Sequence, residues 1–252
     1  MVITVSGKGG VGKTTIAALM LKVLADLNNR AILAVDADPD TNLADVLGIP
    51  VTKTVGMVAN KLKKDIEMGV IPPSMTKKDI LESKVFETIV ETPKFDLLIM
   101  GRTEGEGCYC MVNNLLTSIL DTLTQNYDLT IMDMEAGLEH LSRRTDRDVD
   151  IMIVVVDASR LSFETAKRIK ELAKEVHIDF KKIYLIGNRV KPELENLMLK
   201  KAEEVGLEIV GIIPQDDNLS QYDLKGESLL NLPKNSLAVQ AMEKILKQIG
   251  LI

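Results

Sequence analysis

Near its start the chain carries Gly7-Lys8-Gly9-Gly10-Val11-Gly12-Lys13-Thr14-Thr15, a spacing suited to holding a chain of phosphates. Four glycines free the backbone to curl so that successive N–H groups converge on phosphate oxygens. Gly9, Gly10, Val11, Gly12 and Thr15 are thereby candidate nucleotide contacts. The Lys13 side chain is placed to reach the β and γ phosphates of a nucleotide such as ATP, and the Thr14 hydroxyl to ligate Mg²⁺. The elements on either side fit this chemistry. An apolar run, Val2-Ile3-Thr4-Val5, predicts a strand before the loop, and the amphipathic segment from Ile16 to Leu27 predicts a helix after it. The helix brings its positive dipole end to the same point.

A second lysine, Lys8, stands near the start of the loop. Lys8-Gly9-Gly10-Val11-Gly12-Lys13-Thr14 resembles the deviant Walker A motif of the MinD, ParA and nitrogenase iron protein ATPases. The resemblance implies a homodimer in which Lys8 crosses to the partner's nucleotide and neutralises charge during phosphoryl transfer.

Further polar residues stand where apolar runs end. Asp36-Ala37-Asp38-Pro39-Asp40 follows the short run 31–35, and strand ends are where open parallel sheets bind ligands. The resemblance implies that Asp38 positions or deprotonates the attacking water, with Asp36 nearer the Mg²⁺. Asp133 closes the run 129–132, as a carboxylate holding the Mg²⁺ water shell does, and Gly137 follows as part of a γ-phosphate-sensing loop. Asn188, at the end of the run 182–187, has an amide able to pair with adenine N6 and N7. The family has an asparagine there for this purpose. Asn188, its neighbour Arg189 and the loop at Pro214 are therefore the expected base pocket.

Only two cysteines occur, Cys108 and Cys110, in the glycine-spaced stretch 101–110. Two thiolates are too few for an ordinary four-ligand zinc site, but two copies meeting across a two-fold axis supply four. Ni²⁺, Zn²⁺ or an iron–sulfur cluster suits such ligands. The phosphate loop, the Asp36 to Asp40 cluster, Cys108-Tyr109-Cys110 and the run Met132-Asp133-Met134-Glu135-Ala136-Gly137-Leu138-Glu139-His140-Leu141 together resemble the CooC-type ATPases. These are nickel-insertion factors for carbon monoxide dehydrogenase. That resemblance, over nearly the whole chain, implies a nucleotide-dependent dimer binding Ni²⁺ or Zn²⁺ through both cysteine pairs, with a nickel enzyme such as carbon monoxide dehydrogenase as client.

At 252 residues, the length suits one large α/β domain. The expectation is a single-domain P-loop NTPase, a mostly parallel sheet with helices on both faces, and a helical insertion at about 50–94. A net charge of −6 without a long basic run disfavours non-specific nucleic-acid binding, and so a ParA-like partitioning role. No apolar run reaches membrane-spanning length, and the segment 238–249 lacks the strongly basic face of a MinD-like anchor. A chain that enters a strand at once leaves no room for a signal peptide, so the expected location is cytoplasmic, with no membrane partner. The leading reading is an ATP-hydrolysing metallochaperone. An iron–sulfur electron-transfer ATPase and a MinD- or ParA-like spatial regulator are the alternatives.

Overall fold

The computed structural model describes residues 1–27, 30–70, 76–102, 119–135, 149–175 and 180–252. The chain begins with β1 (Val2–Gly7) and α1 (Lys13–Leu27), then β2 (Ile32–Asp36), α2 (Asn42–Leu47), α3 (Val55–Glu67) and α4 (Lys77–Phe86). A two-residue strand β3 (Val90–Glu91) precedes β4 (Asp96–Ile99), and helical residues 119–124 (α5) precede β5 (Leu129–Asp133). The remainder alternates: β6 (Val149–Val156), α6 (Arg160–Glu175), β7 (Phe180–Val190), α7 (Glu195–Val205), β8 (Glu208–Pro214), then α8 (Asp217–Lys225) and α9 (Leu237–Gln248).

The eight described strands form one sheet in the order β3-β4-β2-β5-β1-β6-β7-β8. Every neighbouring pair is parallel except β3 with β4. Parallel strands need crossovers, and the crossover helices cover both faces, so the central strands read as unbroken apolar runs. Strand alternation sorts these residues. Ile3, Val5, Ala34, Ile131, Ile153 and Val155 pack with α1, α2 and α9, whereas Leu33, Val35, Met132, Met152 and Val154 face α3, α4, α6 and α7. Among the described residues no helix is long and apolar enough to cross a membrane. The C-terminal helix α9 buries Val239, Met242, Ile245 and Leu246 in the core.

Between β2 and β4, helices α3 and α4 lie over the sheet and bury Val55, Ala59, Leu62, Leu81 and Val85. Sequence reasoning expects helices at about 50–94 but not β3, because two residues carry no legible alternation. The start of α3 is stitched to the exit of β4. The Thr54 hydroxyl caps the helix by accepting from the Met57 N–H, and the Gly56 N–H donates to the Met100 carbonyl at 2.8 Å. Gly56 has no room for a side chain, since a Cβ there would lie 2.3 Å from the Arg102 carbonyl oxygen. A Gly56→Ala substitution should therefore lower stability by about 1–3 kcal/mol, because backbone must move to admit the methyl group. Urea unfolding midpoints check this, and an unchanged midpoint would show that the β4 exit yields freely.

Candidate functional site

The phosphate loop joins β1 to α1 along the C-terminal edge of the sheet, beside the exits of β2, β5, β6 and β7. Val11 anchors it with a buried side chain, and the Gly12 carbonyl accepts from the Ile16 N–H at 3.0 Å as the helix starts. Among the described residues the N–H groups of Gly12, Lys13, Thr14 and Thr15 have no backbone acceptor. The first turn of α1 holds no acidic residue, so its positive end is left for an anion. Lys13 is only 9% exposed and makes no ion pair with a described residue. Open N–H groups, a helix dipole and a largely desolvated lysine at one point form a polyphosphate cradle.

The carboxylates lie opposite, placed by register. Asp36 of β2 pairs with Asp133 of β5, and Val5 of β1 pairs with Asp133 on its other side. Both aspartates are buried on the α1 face, yet their surroundings differ. The Asp36 oxygens accept from the Asp38 N–H at 3.1 Å and the Leu43 N–H at 2.9 Å. Burial pushes Asp36 up to about 6; those two N–H groups oppose the shift, and the charges of Asp38 and Asp45 add to it. Asp36 thus shapes the loop after β2 with the same oxygens that sequence reasoning assigns to Mg²⁺.

Asp133 is 1% exposed, and neither of its oxygens accepts a well-formed hydrogen bond from a described residue. Burial pushes it up to about 7; the nearby Thr14 hydroxyl and Lys13 charge pull it down, while Asp36 and Asp38 push it further up. A buried carboxylate without donors, beside a threonine hydroxyl at a helix start, fits a hydrated divalent cation. Such an ion supplies both the missing charge and water donors. Thr14 and Asp133 are the residues that would hold Mg²⁺ with its waters and the nucleotide phosphates. Among the described residues no cluster of three or more His, Cys, Asp or Glu forms a ready protein-only metal cage.

Asp38 is half-buried on the loop after β2, where an oxygen of its carboxylate accepts from the Asp40 N–H at 2.9 Å. Asp40 pairs with Arg102, and the Met100 N–H donates to the Asp36 carbonyl at 2.8 Å, so this loop and the β4 exit are joined twice. Lys8, half-buried at the loop's start, lies close enough to Asp157, just after β6, for its charge to act there. Burial alone would raise Asp157, but the Ser159 and Ser162 side chains and the Lys8 charge hold it below the usual carboxylate range.

On the expected base side, Asn188 is 3% exposed and donates its amide Nδ2–H to the Val11 carbonyl at 2.8 Å. Arg189, with a left-handed φ of 56°, donates to the Gly10 carbonyl. Pro214 ends β8 opposite Val190, where the β7–β8 ladder is irregular. Two residues on, Asp216 ties this loop to α9. Its carboxylate accepts from the Ser236 hydroxyl at 2.5 Å, the Ala238 N–H at 2.9 Å and the Asn218 N–H at 2.8 Å. Burial works against its ionisation, but these donors outweigh it and hold Asp216 below the ordinary carboxylate range. Asp216 and Ser236 are helix caps, and a capping search of the sequence finds each one separately. The Ser236–Asp216 bond across 20 positions is a property of the fold. Cys108, Cys110 and Gly137 lie outside the described residues.

A phosphate cradle at a parallel-sheet edge, with a lysine and an open carboxylate, defines a nucleotide-binding P-loop ATPase. The chain belongs to the CobQ/CobB/MinD/ParA nucleotide-binding domain family, whose model matches residues 2–230. It is 52% identical, over 99% of its own length and 98% of the relative's, to an uncharacterized ATP-binding protein of Methanocaldococcus jannaschii. It is 31% identical to the carbon monoxide dehydrogenase accessory protein CooC of Rhodospirillum rubrum, over 99% and 98% of the two chains. A ParA family ATPase from Chlorobium tepidum superposes with a TM-score of 0.73 at 20% identity, covering 99% of each chain, and shares the fold. The chain is an ATPase of this family, and the expected α/β fold with a mostly parallel sheet is the one observed.

Two outcomes test this geometry. Asp133→Asn removes a buried charge that lacks donors, so the nucleotide-free protein in chelator should gain about 1 kcal/mol while ATP hydrolysis falls about 100-fold or more. Thermal midpoints and steady-state rates measure the two effects; a loss of stability would show that the carboxylate is well satisfied. Asp216→Asn should lower stability by about 2 kcal/mol at neutral pH. Because folding depresses the Asp216 pKa, its contribution is present above the unfolded value of 3.8 and lost as pH falls through the folded one. The gap between wild type and variant should therefore close below about pH 4 in denaturant titrations at stepped pH.

Proposed function

We propose that this ATPase is a metallochaperone that delivers nickel to a metalloenzyme client, with carbon monoxide dehydrogenase as the leading candidate. The observation that carries the reading is the end-to-end similarity to the accessory protein CooC, in a chain whose only cysteines form a Cys-x-Cys pair. In this reading the chain is a homodimer, and Cys108 and Cys110 of both protomers form a Cys₄ site for the cargo, Ni²⁺ or Zn²⁺.

The geometry supports the phosphate-holding roles, and the resemblance supplies those of Asp38 and Lys8. The N–H groups of Gly12 to Thr15 and the Lys13 ammonium hold the phosphates, Asp38 orients the attacking water, and Lys8 crosses to the partner's nucleotide. Thr14 and Asp133 would hold Mg²⁺, which when bound would supply positive charge to the phosphates. A route from nucleotide to cargo is also at hand. The Asp36 to Asp40 loop is bonded to Met100 and Arg102, and Cys108 follows Arg102 by six positions. Nucleotide can change metal affinity only if the dimer's two states bind metal differently, and the coupling is then reciprocal.

The test is metal analysis of anaerobically purified protein on a sizing column, with and without ATP. The expected result is one nickel or zinc ion per dimer, a metal affinity that ATP shifts by about tenfold or more, and loss of metal in the Cys108→Ser, Cys110→Ser double variant. Equal metal affinity in both nucleotide states would sink the proposal. A brown protein carrying iron and sulfide would move it to the electron-transfer class.

A further inference from the structure

The two residues expected to line the base pocket make their visible bonds elsewhere. Asn188 and Arg189 reach across the sheet edge, and both donate to carbonyls of the phosphate loop, Val11 O and Gly10 O. The peptide unit is planar and trans, so a carbonyl held on one side directs the N–H of the same unit to the other. The unit joining Val11 to Gly12 shows the consequence. Its carbonyl is taken by Asn188, while its N–H, on Gly12, has no backbone acceptor among the described residues. The neighbouring unit has its Gly10 carbonyl taken by Arg189 and spends its N–H only on a long 3.4 Å contact to the Lys8 carbonyl.

The clamp is a close fit. A Cβ on Gly12, at a φ of 92°, would lie 2.3 Å from the Asn188 amide nitrogen, so only glycine admits the asparagine. Turning the amide over would set its oxygen against the Val11 carbonyl, so that one bond also fixes its orientation. Arg189 adopts a left-handed backbone that a residue with a side chain avoids, beside the irregularity in the β7–β8 ladder. Strain of this kind persists where surrounding structure enforces it, and here it aims the guanidinium at Gly10.

We infer that Asn188 and Arg189 are positioning residues for the phosphate loop, holding Gly10 and Val11 so that the loop's N–H groups face the phosphates before nucleotide arrives. This goes beyond base contact, because it assigns both residues to a ligand feature that has no base. Inorganic tripolyphosphate is the discriminating probe. It should displace a fluorescent ATP analogue from the wild-type protein, and Asn188→Ala should weaken tripolyphosphate and ATP in the same proportion, by about tenfold or more. Loss of ATP affinity with tripolyphosphate unchanged would mean that Asn188 reads only the base. Wild-type protein that ignores tripolyphosphate would mean that the loop is not preset, and either result overturns the inference.

Arg189→Gly provides the folded control. Glycine adopts the left-handed backbone without strain, so the thermal midpoint should hold or rise while tripolyphosphate affinity falls. Arg189→Lys should recover part of that affinity through a single donor. An Arg189→Gly protein that binds tripolyphosphate as tightly as wild type would remove Arg189 from the clamp.

Discussion

The pairing of β1, β5 and β2 in parallel register is the constraint on which the rest of the molecule depends. It sets Val5, Asp133 and Asp36 side by side, so the phosphate loop and the two buried carboxylates leave the sheet at one edge. Side chains alternate along each strand, and a slip of one residue would turn both aspartates to the opposite face. The apolar residues at alternate positions oppose such a slip, since Ile131 and Val5 on one face and Met132 on the other would all exchange environments. Core packing and site geometry are therefore one constraint, enforced along the full length of three strands.

Departures from ordinary protein structure gather at this edge. Positive φ in residues with side chains occurs at Thr41, after the Asp38 loop, and at Arg189, beside the phosphate loop. Both Asp133 oxygens lack donors, and the helix that opens the site has neither an acidic first turn nor a backbone acceptor for its first N–H groups among the described residues. The open carboxylate and the open N–H groups are unfavourable without a ligand, and a polyphosphate with its cation would relieve both. Unmet local rules gathered at one place mark where binding energy is to be recovered.

Much of this was legible in the sequence because its signals are local. The glycine loop between an apolar run and an amphipathic segment is read within 27 residues, and Asp133 follows directly from its place at a strand end. What escaped was pairing across distance. The Asn188 amide meets a carbonyl 177 positions away, and nothing near Asn188 announces that partner. Asp36 and Asp133 look alike as strand-terminal aspartates, yet the Leu43 N–H at the start of α2 occupies one of the Asp36 oxygens and, among the described residues, no backbone N–H does the same for Asp133. The influence of the Lys8 charge on Asp157 became visible only once β6 was seen beside β1.

The junction between the Asp36 to Asp40 loop and the β4 exit raises a question of magnitude. The Asp40–Arg102 ion pair is the conspicuous link, but both side chains are largely exposed, and such a pair contributes about 1 kcal/mol or less. On its own it is too weak to transmit a tenfold change in affinity, which requires about 1.4 kcal/mol. The backbone bonds beneath it are better suited. The Asp36 carbonyl accepts from Met100, the Met100 carbonyl accepts from Gly56, and Gly56 lies too close to Arg102 for even a methyl group. These contacts fasten the β4 exit to the start of α3, so a displacement of the β2 exit is carried as a shift of packed backbone. A stiff junction lets a small local event move an equilibrium without first unfolding the element that carries it.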